Sequence, residues 1–166
     1  MKMTTSSRDV DAQNDLAPVH ALYADYMEVL DDERIQEWPG FFTPDCVYQI
    51  IPRENYESNS GLCLVQAEGI GMLEDRVLGI LKTQKYGPQR CRRFISGLKI
   101  SRNSEGVIYT RQNVLVVQSL MDSPSSILLC GAAYDQLCWH DSRLLFKQRI
   151  VVCDTEVIDN ALIFPV

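Results

Sequence analysis

The first half of the chain carries apolar residues at helical spacing, and the second half carries them at the alternating spacing of strands. A first helix is predicted to begin near Asn14 or Asp15, either of which can cap it, with Pro18 in the first turn. Residues 1–13 are polar and show no such period, which predicts a disordered or loosely held tail. The apolar stripe of the helix is Leu16, Val19, Tyr23, Tyr26, Met27 and Leu30, and Asp31-Asp32 ends it.

Short elements and one further helix are predicted between residues 33 and 82. Pro39-Gly40 breaks the second helical segment, and the polar stretch from Pro52 to Gly61 indicates a loop. The elements predicted around them are a short helix from Glu33 to Trp38, a strand from Cys46 to Ile51, an edge strand from Leu62 to Val65, and a helix whose stripe is Ile70, Leu73, Val77, Ile80 and Leu81.

Four long strands are predicted from residue 90 onward, separated by turns at 103–106, 122–125 and 140–142. Simple alternation assigns their side chains to two faces. In the first strand it groups Phe94, Ser96, Leu98 and Ile100; in the fourth it groups Phe146, Gln148, Ile150 and Val152 against Lys147, Arg149 and Val151.

Helices followed by a strand meander define an α+β fold, because an α/β fold would alternate the two. A long antiparallel sheet curves, and the amphipathic helices supply the layer that its concave side needs. The sequence therefore predicts one domain over residues 14–166, a cone in which a curved antiparallel sheet packs against N-terminal helices, with room for a cavity between them.

Composition indicates an ordinary globular protein, with 46% hydrophobic and 23% charged residues among 166. The six cysteines contain no C-x-x-C pair, and several lie in apolar runs, as small core residues do. The N-terminus lacks the apolar stretch of a signal peptide, and no stretch reaches the length of a membrane span. We therefore expect a reduced, cytoplasmic protein without a membrane partner.

The net charge of −6 makes nucleic acid an unfavourable partner. Residues 1–60 hold four basic and twelve acidic side chains, whereas residues 82–111 hold eight basic and one acidic. Two interpretations remain open: two solvated faces, or complementary patches that meet in an oligomer.

Motifs for metal or nucleophilic chemistry are absent from the sequence. A two-histidine iron site would need both His20 and His140, which lie in a helix and a turn, and a Rieske cluster would need paired Cys and His ligands. We read His20 as a partly buried helix residue and His140 as an exposed turn residue. No G-x-S-x-G or phosphate-binding glycine loop occurs. We therefore predict no catalytic, metal-binding or cofactor-binding residue in this chain.

Carboxylates and tyrosines could still support acid–base chemistry inside a cone. The residues expected to line such a cavity are Asp31, Tyr48 and Tyr109, with Asp32 and Asp45 as further candidates, although each also has an ordinary role as a helix end, a turn cap or a strand residue. A free-standing dehydratase or isomerase, or a small-ligand-binding module, thus remains an alternative function.

Several local patterns, taken in order, resemble a known family. They include Trp38-Pro39-Gly40-Phe41-Phe42-Thr43, Asp45-Cys46-Val47-Tyr48, Arg53-Glu54-Asn55-Tyr56, Tyr134-Asp135, Val151-Val152-Cys153-Asp154-Thr155 and Asn160-Ala161-Leu162-Ile163-Phe164-Pro165-Val166. In order and spacing the chain resembles the β (small) subunits of aromatic-ring-hydroxylating dioxygenases over residues 15–166, and is most similar to those of salicylate-, anthranilate- or terephthalate-type oxygenases. It departs from the family pattern at Arg92-Arg93 and at Gly131-Ala132-Ala133-Tyr134.

This resemblance implies a nuclear-transport-factor-2-like cone and a structural, non-catalytic role in an oxidoreductase that acts on an aromatic acid, within aromatic hydrocarbon catabolism. It implies a large α subunit as partner, carrying the Rieske 2Fe–2S cluster and the mononuclear iron, with no cofactor in this chain. It also implies a β homotrimer within an α3β3 assembly.

Overall fold

The computed structural model describes residues 7–82, 89–155, 158 and 162–166. Within those residues, no helix is long and apolar enough to cross a membrane. The elements are α1 (Ser7–Asp31), a 3₁₀ helix (Ile35–Phe41), β1 (Phe42–Pro52), α2 (Arg53–Glu57), β2 (Val65–Glu68), α3 (Ile70–Lys82), β3 (Gln89–Arg102), β4 (Ile108–Leu120), β5 (Ser126–His140) and β6 (Arg143–Cys153).

The start of α1 differs from the prediction. The helix begins at Ser7, because residues 7–17 contain no glycine or proline that would stop it. The predicted tail is therefore helical over residues 7–13, and residues 1–6 lie outside the described part. Asp15 is not a cap: its buried carboxylate accepts a hydrogen bond from Arg102 Nε at 2.7 Å. Pro18 lies in the helix interior, where it removes one backbone hydrogen bond.

The end of α1 at Asp31 agrees with the prediction. Glu33 adopts a left-handed conformation (φ 61°), and the Arg34 N–H donates to the Val29 carbonyl at 2.9 Å. This backbone arrangement closes the helix in the way that a C-terminal glycine usually does.

Four predicted boundaries between residues 35 and 68 were wrong. Strand β1 begins at Phe42 instead of Cys46. The second helical segment is a 3₁₀ helix that continues through Pro39-Gly40, and the predicted loop after Pro52 begins with the short helix α2. The edge strand starts at Val65 instead of Leu62, because Val65 and Ala67 are the residues that bury against the sheet, whereas Leu62 and Leu64 are exposed. Helix α3 and its buried residues Leu73, Val77 and Ile80 confirm the predicted stripe.

The strands form one six-stranded sheet in the order β2-β1-β6-β5-β4-β3. The predicted meander of β3, β4, β5 and β6 is confirmed as antiparallel throughout, whereas β1 pairs with β6 in parallel. Helices α1 and α3 pack on one side of this sheet, which confirms the α+β cone.

Two β-bulges change which residues share a face. In β3, Gly97 has φ 65°, and the register shifts between Ser96 and Lys99. In β6, the register shifts around Lys147, since Phe146 pairs with Leu137 and Gln148 pairs with Gln136. The faces predicted from simple alternation were therefore wrong, because a bulge inserts one residue and reverses the phase beyond it. The residues that actually share the inner face are Arg93, Ile95, Leu98 and Ile100 in β3, and Phe146, Arg149 and Val151 in β6.

The oppositely charged regions of the chain meet within the subunit. Carboxylates of α1 and the residues just after it pair with arginines of β3, which lies against the helix. The pairs are Arg93 with Asp31 (2.7 Å), Arg90 with Glu33 (2.9 Å), Arg92 with Asp31 (3.7 Å) and Arg102 with Asp15. Much of the charge asymmetry thus joins helix to sheet in one chain, which neither interpretation of the sequence anticipated.

Candidate functional site

A buried polar cluster occupies the centre of the cone. Tyr23 on α1 donates to Asp135 Oδ2 on β5 at 2.6 Å, and its hydroxyl lies 2.5 Å from Thr110 Oγ1 on β4. Arg149 on β6 donates to the same Asp135 oxygen at 2.7 Å. Thr110 pairs with Asp135 and Asp135 pairs with Arg149 across neighbouring strands, so their side chains form one row on the inner face.

Burial and charge shift the pKa values of this cluster. Burial raises the pKa of the Asp135 carboxyl, although Arg149 and the Tyr23 hydroxyl oppose the rise. Burial, together with the Asp135 charge, raises the pKa of Tyr23 well above its usual value. Burial alone would lower the pKa of Arg149, but Asp135 and three nearby tyrosines outweigh it, so the pKa of that guanidinium rises. The attraction between Asp135 and Arg149 thus opposes the cost of burying either charge in a medium that solvates both poorly.

Aromatic rings surround the cluster and fill the volume beside it. The Arg149 guanidinium lies 4.8 Å from the centre of the Tyr26 ring, a cation–π distance. Trp38 donates its indole N–H to the Tyr26 hydroxyl oxygen at 3.1 Å and packs edge-on against Tyr48. All three aromatic side chains are fully buried, so this part of the core consists of side chains in contact with one another.

The segment 162–166 enters the cone and is held there by side chains from five elements. Tyr26 and Arg149 donate to the Val166 carbonyl at 2.8 and 3.1 Å, and the Val166 N–H donates to the Tyr48 hydroxyl oxygen at 2.9 Å. Arg93 donates to the Pro165 carbonyl at 3.2 Å from Nε and 2.5 Å from Nη2. Arg76 on α3 donates to the carbonyls of Leu162 and Ile163 at 2.7 and 3.1 Å.

Among the described residues, the cavity that lies beside this segment is too small for a substrate. A cavity lined by Arg93, Gln118, Phe164 and Val166 holds about 10 Å³, which is at the lower limit for one water molecule. Asp135 is 2% exposed, so solvent does not reach its carboxyl. The interior of the cone is thus a packed core that contains charged groups.

The three residues predicted to line one cavity lie in different places. Asp31 is at the end of α1, where its carboxylate accepts a hydrogen bond from Arg93 Nη1 at 2.7 Å. Tyr48 is inside the core, and burial raises its pKa. Tyr109 lies on the outer face of β4, because its neighbour Thr110 points inward, and it is 39% exposed. Of the three, only Tyr48 contacts segment 162–166.

The remaining candidates occupy the surface. Asp32 and Asp45 are both exposed, and Asp45 accepts a hydrogen bond from Thr43 that lowers its pKa. His20 is exposed on α1, contrary to the partly buried position predicted for it, and His140 is exposed at the end of β5, as predicted. The part of the chain that the structure describes contains no group of three or more His, Cys, Asp or Glu side chains placed to hold a metal ion.

Sequence reasoning missed Tyr23, Thr110, Asp135 and Arg149 as the members of one cluster. Tyr23 was assigned to an apolar stripe, and Arg149 was grouped with Lys147, although the bulge separates them. One signal was present: a polar residue at an inward position of a long apolar strand must find a partner. Finding that partner requires the strand register, which the sequence did not provide.

Gln112 lies one inward position along β4 from Thr110 and is fully buried, yet neither of its side-chain polar atoms has a hydrogen-bond partner among the described residues. We expect Gln112→Met to raise the free energy of unfolding by about 1–2 kcal/mol, because it removes two unsatisfied polar atoms while keeping the volume. Urea unfolding measures this change. The control is Gln118→Met, which should lower stability because Gln118 donates to Gln89. Destabilisation by Gln112→Met would show that its amide is satisfied.

A shallow groove lies on the outer face of the sheet, on the side opposite to the polar cluster. It encloses about 480 Å³ and is lined by side chains of β3, β4 and β5 together with Gln148 of β6. Its cations are Lys99 and Arg111, and its aromatic rings are Tyr109 and Tyr134. Tyr56 of α2 stacks on Tyr134 with ring centres 5.7 Å apart, so the Tyr134 ring is fixed in orientation.

The fold is a nuclear-transport-factor-2-like cone, and its centre is filled by its own side chains and by segment 162–166. The family described as the ring hydroxylating beta subunit matches residues 27–160, and the chain belongs to this family. A β subunit is one part of a multi-subunit oxygenase, which implies a large α subunit as its partner.

Individual relatives agree with this family. The chain is 31% identical to the anthranilate 1,2-dioxygenase small subunit of Burkholderia cepacia over 89% of this chain and 92% of the relative. It superposes with a TM-score of 0.82 and 28% identity on the solved β subunit assigned to an aromatic-ring-hydroxylating dioxygenase of Novosphingobium aromaticivorans, covering 93% and 99% of the two chains. A chain of naphthalene 1,2-dioxygenase shares the fold, with a TM-score of 0.76, 17% identity, and coverage of 99% and 89%.

Proposed function

We propose that this chain is a non-catalytic, structural β subunit that holds the iron-bearing α subunit of a Rieske non-haem iron aromatic-ring-hydroxylating oxygenase. The observation that carries the proposal is the filled cone. Segment 162–166 and the Asp135–Arg149 pair occupy the volume in which a substrate of a cone enzyme would have to bind. A packed interior joined by hydrogen bonds and ion pairs is rigid, which suits a subunit whose role is to support another subunit.

The redox centres belong, in this proposal, to the α subunit, as a Rieske 2Fe–2S cluster and a mononuclear iron. A Rieske cluster needs two cysteines and two histidines, and a facial iron site needs two histidines and a carboxylate. The two histidines of this chain lie on separate elements, α1 and β5, with exposed side chains. That placement supports assigning both centres to the partner.

The substrate we propose for the assembled enzyme is an aromatic acid, and its pathway is aromatic catabolism, since the relative with 31% identity is an anthranilate dioxygenase subunit. We also propose that the enzyme works in the cytoplasm. The six cysteines are all unpaired thiols, which is the state that a reducing compartment maintains.

The oligomer that we propose is a β homotrimer within an α3β3 assembly. The outer face of the sheet supports it, because this face exposes large apolar side chains that a monomer would leave in water. Phe94 on β3 and Ile127 on β5 are 56% and 62% exposed, and Met121 at the β4–β5 turn is 76% exposed.

A cone enzyme is the second candidate, and one observation favours it. Asp135 is a buried carboxyl with a raised pKa beside Tyr23, which is the pairing that a dehydratase or isomerase would use. The same residues argue against it, because Asp135 is also bound to Arg149 and is out of reach of solvent. The alternative of a small-ligand-binding module is disfavoured for the same reason, because the interior of the cone is filled by side chains.

Metal analysis and calorimetry of the pure, untagged chain test this proposal. We expect iron far below one atom per chain and no heat of binding with benzoate or 2-aminobenzoate, because the interior offers neither ligands nor volume. One tightly bound iron per chain would contradict the non-catalytic assignment. Stoichiometric binding of an aromatic acid that is lost in Asp135→Asn would support the cone enzyme instead.

A further inference from the structure

Two cations lie directly opposite each other in the outer groove. Lys99 on β3 pairs with Arg111 on β4, and Arg111 in turn pairs with Tyr134 on β5. Like charges at opposed positions of neighbouring strands destabilise a sheet. Among the described residues, neither Lys99 nor Arg111 forms an ion pair, so no carboxylate in that part of the chain offsets their repulsion.

The other arginines of β3 contrast with this pair. Arg90, Arg92, Arg93 and Arg102 all contact carboxylates of α1 or of Glu33 just after it. The carboxylates that these four arginines contact, Asp15, Asp31 and Glu33, belong to α1 and the residue stretch just after it. On the outer side, Lys99 and Arg111 lie among uncharged polar side chains and aromatic rings, which include Ser101, Tyr109, Tyr134 and Gln136, while the side chains of two further lining residues, Thr110 and Asp135, point into the cone.

The exposed side of α3 has the complementary character. Leu73, Val77 and Ile80 bury the opposite side of this helix in the core. The exposed side carries Leu78 and Leu81, which are 46% and 48% exposed, beside the exposed carboxylates of Glu74 and Asp75. Glu74, Leu78 and Leu81 follow the spacing i, i+4 and i+7, and Asp75 lies three residues before Leu78, so the four form one surface that combines leucines with negative charge. Glu74 and Asp75 form no ion pair among the described residues.

We infer that the outer groove of one copy receives the exposed side of α3 from a second copy. The carboxylates of Glu74 and Asp75 meet Lys99 and Arg111, while Leu78 and Leu81 cover the rings of Tyr109 and Tyr134. This inference rests on the homotrimer of the proposed function and identifies its contact. Binding of an amphipathic helix in a groove is a common mode of recognition, and charge complementarity sets its orientation.

The groove and the exposed side of α3 lie on opposite sides of the subunit, and this placement suits a ring-shaped oligomer. Helix α3 packs on the inner side of the sheet, whereas the groove is on the outer side, so one copy cannot join its own two surfaces. A contact between two different surfaces is heterologous, and it closes into a cyclic oligomer when the rotation between copies permits. Every copy of a closed ring then has both its groove and its α3 surface occupied.

Charge reversal in the full-length chain tests this contact. We expect Lys99→Glu/Arg111→Glu and, separately, Glu74→Lys/Asp75→Lys to raise the dissociation concentration of the trimer about tenfold or more in light scattering. The matched control, Arg143→Glu/Lys147→Glu, places the same charge change on exposed residues of β6 outside the groove, and we expect it to leave the trimer intact. Circular dichroism of each variant verifies folding.

The four-residue variant separates this contact from general charge effects. Combining Lys99→Glu, Arg111→Glu, Glu74→Lys and Asp75→Lys exchanges the charges of the two surfaces, so we expect it to restore the trimer. A folded variant whose trimer persists after either reversal, or a four-residue variant that stays dissociated, would overturn the inference. If Lys99→Glu/Arg111→Glu keeps the trimer but no longer binds the α subunit, the groove is a contact for the α subunit and not for a second copy. The proposed function would then stand, and the inferred contact would not. A parent chain that forms no trimer with or without α would refute the homotrimer itself.

Discussion

Replacing Arg149 by methionine is expected to lower the free energy of unfolding by about 3–5 kcal/mol. The guanidinium is the charge that balances Asp135 inside the cone, and it also donates to the Val166 carbonyl at 3.1 Å. Methionine fills similar volume but leaves the Asp135 carboxylate buried without its cation. Most of the loss therefore comes from an unpaired charge in a medium that solvates it poorly.

Urea unfolding at neutral pH measures this effect against two controls. Arg34→Met removes an exposed arginine that pairs with Glu28 and Glu37, and its cost should stay below about 1 kcal/mol because water screens such pairs. Asp135→Leu/Arg149→Met removes both charges and should recover much of the loss. A cost for Arg149→Met no larger than that for Arg34→Met would mean that the buried pair does not organise the core.

Loss of stability at alkaline pH is the second large effect expected. Burial raises the pKa of Tyr23, Tyr26 and Tyr48 above the ordinary value of 10. A raised pKa in the folded state means that, above pH 10, the unfolded chain releases protons that the folded protein keeps. The stabilisation is complete below pH 10 and is lost as the pH rises towards the folded-state pKa, by up to about 1.4 kcal/mol per pH unit for each tyrosine.

Urea unfolding between pH 8 and pH 11.5 checks this slope. Tyr48→Phe should reduce the slope above pH 10 by about a third, because one of three titrating groups is removed. The buried thiols of Cys46 and Cys153, whose pKa values are also raised by burial, add to the loss from about pH 8.5 in the parent and the variant alike. An unchanged slope in Tyr48→Phe would show that Tyr48 titrates in the folded protein as it does in the unfolded chain.

Local patterns predicted most elements, because those elements depend on neighbours in sequence. The α3 stripe of Leu73, Val77 and Ile80, the meander and its turns all follow from spacing and turn chemistry. The turn at Asp141-Ser142, for example, has two positive φ angles, as a two-residue hairpin turn requires. The start of α1 could not be placed, because a polar segment without glycine or proline is compatible with both helix and tail.

The candidate site was much less predictable, because its contacts join residues that are distant in sequence. Tyr23 and Asp135 are 112 positions apart, and the Arg93 contact with Pro165 spans 72. The bulge at Lys147 decides whether Arg149 points inward, and a bulge leaves no clear mark in the pattern of apolar residues. Tyr109 illustrates the same limit, since its sequence position fits either face and the register alone places it outside the cone.

In the role that we propose, the packed interior explains how a cone fold serves an oxygenase without performing its chemistry. Three arginines bind backbone carbonyls of segment 162–166. The volume inside the cone that could hold a ligand is therefore filled by a segment of the chain itself. The ion pairs between α1 and β3 add further contacts that hold the helix against the sheet. The outer face of the sheet and the exposed side of α3 then remain for contacts with other subunits.

Co-purification tests the central claim most directly. The chain is expressed with and without the large subunit that we expect to be encoded beside it, and the particles are weighed by light scattering and assayed for iron. We predict a mixed hexamer of three α and three β subunits that contains iron only when the large subunit is present. A stable, iron-free particle of this chain that does not associate with the large subunit would contradict the account.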